Sequence, residues 1–220
     1  MESKSQMSDT FLLGSILAMA GGFLDAYTYL ARGHVFANAQ TGNIVLLGMN
    51  LAEGNFIEAS YYLIPIMAFV LGIIITEAVK KKYKERTNVH WRQIVIAIEI
   101  MVLMSVALIP AGKWNMIANV LVSLVCSMQV QSFRKINGNV ATTTMCTGNL
   151  RSGTEHMIRY SQTKERTLLN RGMQYYGIII FFILGAALGV WFTNGLATYA
   201  VLVCCILLSI ALGIMFIKKK

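Results

Sequence analysis

The sequence predicts an all-α membrane protein in which six transmembrane helices form two inverted three-helix repeats, each broken by a re-entrant segment at a Thr-Gly-Asn motif. Three observations predict it. The 220 residues are 56% hydrophobic and only 13% charged, against roughly 25% charge in soluble domains, and the apolar residues come in runs too long for a soluble core. The chain also matches itself on a slide of 106 residues, which lays Met19–Asn43 on Val125–Asn149 without a gap and Trp91–Pro110 on Ala197–Phe216. Asp25 falls on Gln131, Asn38 on Thr144 and Thr41 on Thr147; with a short insertion, Tyr61-Tyr62 and Phe69–Gly72 match Tyr175-Tyr176 and Phe182–Gly185. Finally, Lys and Arg collect in alternate loops, as topology requires of a polytopic protein.

Residues 1–10 are polar and fray as termini do. Phe11–Ala31 is the first span. Ala18-Met19-Ala20 imitates a signal-peptide cleavage site, but Lys4 is offset by Glu2 and Asp9, and a disposable leader needs no repeat partner. Gly14, Ala18 and Gly21-Gly22 place small residues at near-helical spacing for close helix packing. Asp25 is an ionisable group inside the span and therefore a functional expectation; the structural alternative is a position at the outer end, paired with Arg32. Gly33–Gln40 is too polar to span. After Thr41-Gly42-Asn43, Ile44–Ala52 reaches only about 14 Å at about 1.5 Å per residue, about half the hydrocarbon thickness. A half-length apolar helix behind a polar turn reads as a re-entrant segment: Thr41 caps it, Gly42 permits the turn, and Asn43 adds a donor and an acceptor. The alternative is a surface loop with an N-capped helix on the membrane face.

Phe56–Lys80 is the second span, with Pro65 predicted to bend it and Glu77 near its end. Lys80-Lys81-Lys82, Lys84, Arg86 and Arg92 form a basic loop. Gln93–Pro110 is the third span and carries Glu99, a second intramembrane titratable group, where the other repeat has Cys205. After a turn at Ala111–Lys113, Trp114–Phe133 is the fourth span, with Gln129 and Gln131 near its end. Arg134–Cys146, with Thr142-Thr143-Thr144, is the second break, followed by Thr147-Gly148-Asn149. Arg151, Glu155, His156 and Arg159 make Leu150–Thr163 amphipathic, suited to the membrane interface. Met173–Asn194 and Ala197–Ile217 are the last spans; Gly185 and Gly189 form a Gly-x-x-x-Gly pair for packing or a homodimer face. The whole is one polytopic domain, 1–220, with repeats at about 11–110 and 114–217.

Placing both termini in the cytoplasm puts Lys4, the basic loop, Arg134, Lys135, Arg151, Arg159, Lys164, Arg166, Arg171 and the terminal lysines inside, and only Arg32 and Lys113 outside. The net charge of +9 is then topological, and no soluble basic domain exists to bind nucleic acid. Three spans per repeat insert the halves in opposite directions, so the breaks enter from opposite sides and meet near the mid-plane. Such repeat interfaces hold the sites of transporters and channels. The predicted solute-binding residues are Asp25, Asn38, Thr41, Gly42, Asn43, Gln131, Thr144, Thr147, Gly148 and Asn149, with Asp25 or Glu99 carrying a coupling proton. Two facing helix N-termini would make a donor-rich spot for a carboxylate, oxyanion or polar carbonyl.

Gly22-x-x-Asp25-Ala26, Val35-Phe36-Ala37-Asn38-x-x-Thr41-Gly42-Asn43 and the downstream Thr147-Gly148-Asn149 resemble the YoaK-like family of bacterial inner-membrane proteins of unknown function. The resemblance covers essentially the whole chain. It implies a small multi-pass protein of the bacterial cytoplasmic membrane and brings no activity. The expectation is a compact transporter for a small polar or anionic solute; the alternatives are a channel built from paired half-helices and a non-transporting sensor or assembly protein. An enzyme is not expected: His34, His90 and His156 are scattered, and no HExxH, Gly-x-Ser-x-Gly or paired-carboxylate motif occurs. No cofactor or metal is expected either, since the four cysteines lack ligand or CxxC spacing. A homodimer is expected to shield the thin six-helix wall.

Overall fold

The computed structural model describes residues 10–84, 90–135 and 143–216. All regular elements among them are helical: α1 (Phe11–Ala31), α2 (Gln40–Ala52), α3 (Phe56–Tyr83), α4 (Trp91–Ala107), α5 (Asn115–Ser132), α6 (Cys146–Thr163), α7 (Arg166–Leu196) and α8 (Val201–Phe216), with a 3-10 turn at Ala197–Ala200 leading into α8. Three stretches are long and apolar enough to cross a membrane by length and composition: Phe11–Ala31, Phe56–Tyr83 and Arg166–Phe216, the last joining α7 to α8.

Local chemistry sets several ends. Thr10 Oγ1 accepts from Leu13 N and caps α1. His90 and Gln93 form a reciprocal capping box at the start of α4. Other bounds differ from the sequence expectation. α2 begins at Gln40 and has 13 residues, about 20 Å. α6 starts at Cys146, and α7 starts at Arg166 and runs 31 residues. In both, the added first turn is mostly exposed, with Asn149 of α6 buried. α3 continues through Pro65. Residues 85–89 of the basic loop, 136–142 of the second break (Thr142 included) and the termini 1–9 and 217–220 lie outside the described residues.

The main core is shared by α1, α4, α5 and α8, through side chains such as Leu17, Phe23, Ile96, Leu103, Val122 and Leu208. α7 packs outside α1 and α3 outside α5; α2 lies on α3 and α6 on α7. The pairing is exchanged between halves: α1 takes α7, and its sequence counterpart α5 takes α3. Exposed Ile44, Ile57, Met67, Ile74, Ile183 and Trp191 give the outer helices an apolar surface.

Glycine allows the two exchanged crossings. A Cβ on Gly22 would lie 2.0 Å from the Phe182 carbonyl oxygen, and one on Gly185 would lie 2.0 Å from that of Met19. Gly72, which matches Gly185 in sequence, would meet Ser127 Oγ at 1.9 Å and Leu124 O at 2.3 Å. Close backbone approach through small residues holds helices together where hydrophobic burial cannot. The Gly185/Gly189 pair is thus used within the chain, against Met19 and Phe23, and is not free to serve as a homodimer face.

At the far end of α1, Arg32 is only 1% exposed. It donates from Nε to Tyr27 Oη (2.9 Å), from Nη1 to the Ile109 carbonyl (2.9 Å) and from Nη2 to the Val106 carbonyl (3.0 Å). Its counter-charge is therefore the negative end of α4. This corrects the alternative pairing with Asp25: one guanidinium fork fits several carbonyls at a helix end.

Gly185→Ala and Gly72→Ala are expected to lower the melting temperature in detergent, by about 1–3 kcal/mol or more of overpacking. Gly213→Ala, with nothing within 4 Å of the new methyl, is expected to be neutral or stabilising by up to about 1 kcal/mol. Equal melting temperatures for all three would refute the packing account.

Candidate functional site where the two breaks meet

After α1 the chain reverses at Gly33 (φ 89°) and His34 (φ 60°). It runs back beside α1 until Asn38 Nδ2 donates to the Gly21 carbonyl (3.3 Å). From Ala31 back to Gly21 is about 15 Å of helix at 1.5 Å per residue, half the depth of a bilayer core. Irregular backbone at such depth needs partners within the protein. Asp25 supplies them: it is 5% exposed, and its Oδ1 accepts from Asn38 N (2.6 Å) and Ala39 N (3.3 Å). Asn43, fully buried, closes the loop by accepting from Phe36 N (3.0 Å) and donating to Phe36 O (2.8 Å) and Gln40 Oε1 (3.0 Å). Gly42 gives the Phe36 ring room, since a Cβ there would lie 2.9 Å from it.

Thr41 does not cap α2. Ala39 holds that position without a side-chain bond, and Thr41 faces outward in the first turn. The amides ahead of the helix already have the Asp25 carboxylate, a stronger acceptor than a hydroxyl. Those donors, expected to receive an anionic solute, are therefore engaged by the chain itself.

The second break arrives at the same point. A Cβ on Gly21 would lie 2.4 Å from Thr144 Cγ2, 3.5 Å from Asn38 Nδ2 and 3.7 Å from Phe182 Cε2. Asn38 and Thr144, matched in sequence, thus flank one glycine in the middle of α1. As in the first motif, Asn149 is buried while Thr147 is exposed, and Met145 precedes α6 without a cap. Gly148 has open space around it, so glycine is not required there. Gln131, the counterpart of Asp25, lies away from the meeting point and donates to Glu77 Oε1 near the end of α3. The side chain leaves α5 within its last turn, where α3 is its neighbour.

Glu99 lies in α4, 0% exposed, and neither carboxylate oxygen has a hydrogen-bond partner. Cys126, buried on α5, is under the electrostatic influence of both Glu99 and Asp25. The sequence reading did not single out Cys126. The signal was the stripe Asn119, Ser123, Cys126 at helical spacing on α5, all buried. Among the described residues, no group of three or more His, Cys, Asp or Glu side chains is placed to hold a metal.

Arg151, Thr154, Glu155, Ile158 and Arg159 line an open groove along α6 together with Thr147, and Arg159 Nη2 donates to Glu155 Oε1 (2.7 Å). That polar face agrees with an interfacial helix. It is separate from Gly21, so Thr147 and Gly148 belong to an outer surface rather than to the meeting point.

Asp25→Ala is expected to speed amide exchange at Asn38 and Ala39 roughly tenfold to a hundredfold, from loss of a charge-assisted bond of about 1.5–3 kcal/mol, with Asp25→Asn in between. Hydrogen exchange read by mass spectrometry checks this; unchanged exchange in the alanine variant would contradict the latch.

Comparison with known proteins agrees with a membrane protein of unassigned activity. The chain is similar to the UPF0700 transmembrane protein YoaK of Bacillus subtilis (strain 168), 26% identical over 176 residues, 76% of this chain and 77% of that one. No solved structure matches the chain. The profile of one family matches residues 13–214, and the chain accordingly belongs to the family described as protein of unknown function (DUF1275).

Proposed function

We propose that the protein is a small membrane transporter for a polar solute, with its site where the two breaks meet beside Gly21. The observation that carries this reading is the convergence of Asn38 and Thr144 on that glycine, with Asp25 bonded to Asn38 and Glu99 buried on α4. Two sequence-related breaks that reach one point from different helices are the arrangement of inverted-repeat carriers. The exchanged packing, α1 on α7 and α5 on α3, supports inverted halves. In this reading six helices span. α4 and α5, at 17 and 18 residues, reach about 26–27 Å and complete their crossings with flanking residues. α2 and α6 occupy half-membrane and interfacial positions, and both termini are cytoplasmic in the bacterial inner membrane.

A carrier is favoured over an open channel because the constellation is shut away: Glu99 and Asn43 have no exposed surface. Access then needs movement of one half against the other, and the outer α2 and α6 are the elements least tied to the core.

In liposomes, the purified chain is expected to take up some members of a panel of small polar solutes above protein-free vesicles. Asn38→Ala, which removes a side chain at the meeting point, is expected to slow uptake about tenfold, the worth of one site hydrogen bond. Gly21→Val, which fills the space facing Thr144, is expected to abolish it. No uptake of any solute, or uptake indifferent to both variants, would sink the proposal.

A further inference from the structure

The outer face of α3 changes its chemistry along its length without changing direction. Met67, Val70, Leu71 and Ile74 recur at three- and four-residue spacing, which keeps them on one side of the helix, and all four are exposed. The same spacing runs on through Ala78 to Lys81 and Lys82, also exposed. From Met67 to Lys81 is about 21 Å at about 1.5 Å per residue, close to one bilayer leaflet with its headgroup layer. A single helix face is therefore apolar over the depth of acyl chains and ends in two cations.

Further positive charge is massed at that end. Residues 80–92 hold Lys80, Lys81, Lys82, Lys84, Arg86 and Arg92 against Glu85. Trp91 ties the end of α3 to the start of α4: Lys80 Nζ lies 5.9 Å and the Arg92 guanidinium 5.5 Å from its ring centre. Arg92 also lies 5.8 Å from the Phe133 ring, and the exposed Arg134 and Lys135 follow directly. Contact with an aromatic face orients a cation and leaves its charge in place. Glu77 is the acid facing this corner among the described residues. It pairs with Lys80 at 3.2 Å and accepts from Gln131. Among the described residues, neither Lys81 nor Lys82 has an acidic partner.

A lysine pair at the foot of an apolar stripe matches a molecule with a phosphate at one end and hydrocarbon at the other. A free phosphate or an acidic peptide would engage the lysines and leave the stripe unused. A second copy of the chain, inserted in the same orientation, would bring lysines against lysines. We propose that this face of α3 is a binding site for an anionic phospholipid, its phosphate held by Lys81 and Lys82 and its chains laid along Met67, Val70, Leu71 and Ile74. Lys80, Arg92 and Arg134 add to the attracting field. The site goes beyond the transporter reading and does not depend on it.

The full-length protein, purified in dodecyl maltoside at about 0.15 M sodium chloride, is titrated with dioleoyl phosphatidylglycerol, dioleoyl phosphatidylcholine or inorganic phosphate. Thermal unfolding is followed, and native mass spectrometry counts the lipid retained. Phosphatidylglycerol is expected to raise the melting temperature and to stay bound; phosphatidylcholine and phosphate are not. Replacing both lysines, Lys81→Gln with Lys82→Gln, is expected to weaken phosphatidylglycerol binding about thirtyfold, the worth of two lysines at a charged surface. Lys81→Arg with Lys82→Arg is expected to keep it. Lys113→Gln is the control: Lys113 sits 5.4 Å from the Trp114 ring, a like pairing beyond the opposite end of α4, and its loss is expected to change nothing. Should the glutamine variant not fold, competition between the two lipids for the wild-type protein, read by mass, decides the preference. An equal response to both lipids, an equal response to inorganic phosphate, no response to any, or a Lys113→Gln effect as large as that of the double variant would overturn the inference.

Discussion

Polypeptide that leaves its helix within hydrocarbon must find partners for its amides and carbonyls inside the protein, and the rest of this structure follows from how that demand is met. In the first break the partners are side chains of the chain itself. Asp25 takes the amides of Asn38 and Ala39, and Asn43 answers both backbone groups of Phe36. These side chains satisfy the backbone groups of the break. That fixes Asn38 beside Gly21 and gives α2 its starting depth. The second break reaches the same glycine through Thr144, but its counterpart of Asp25, Gln131, is turned to Glu77. Among the described residues, the first break is latched by a charge, while Gln131 makes no such latch for the second.

The two halves of the chain are interlocked. α1 is packed by α7 of the other half and α5 by α3, each at a glycine where a methyl group would meet a carbonyl oxygen. Arg32 adds a polar tie from α1 to the end of α4. Neither half keeps its core without the other. A relative motion of the halves would act on the glycine crossings, which slide more easily than interdigitated large side chains.

Much of the fold was legible because it rests on local signals. Phe11–Ala31 ends where its apolar run ends, and the turn at Gly33 and His34 begins there. The glycine of Phe69–Gly72 and that of Phe182–Gly185 were matched in sequence and lie at matching crossings. The repeat register paired Asn38 with Thr144 without predicting their convergence; the turns at Thr41 and Thr147, expected to meet, both face outward. The illegible parts depend on partners distant in sequence. The hydroxyl of Thr41 looked like the cap, but the carboxylate of Asp25, 13 residues from Asn38, holds the preceding amides. Arg32 looked like an exposed outer charge until its carbonyl partners more than 70 residues away were seen. The donor-rich pocket expected of a helix N-terminus is not seen for the same reason: the Asp25 carboxylate and the Gly21 carbonyl engage the donors of Asn38 and Ala39.

The functional reading joins these points. Membership in a family of unknown function leaves the chemistry to the site, and the site is a sealed meeting of two breaks; an unpaired carboxylate, Glu99, is buried on α4. Its central claim is spatial and can be tested without knowing the solute. Cysteines are placed at Asn38 and Thr144 in a chain whose four native cysteines are replaced, and a short bifunctional thiol reagent is added to membranes. The account predicts efficient cross-linking of the pair within one chain. Absence of a cross-link, with each cysteine alone freely labelled, would contradict it.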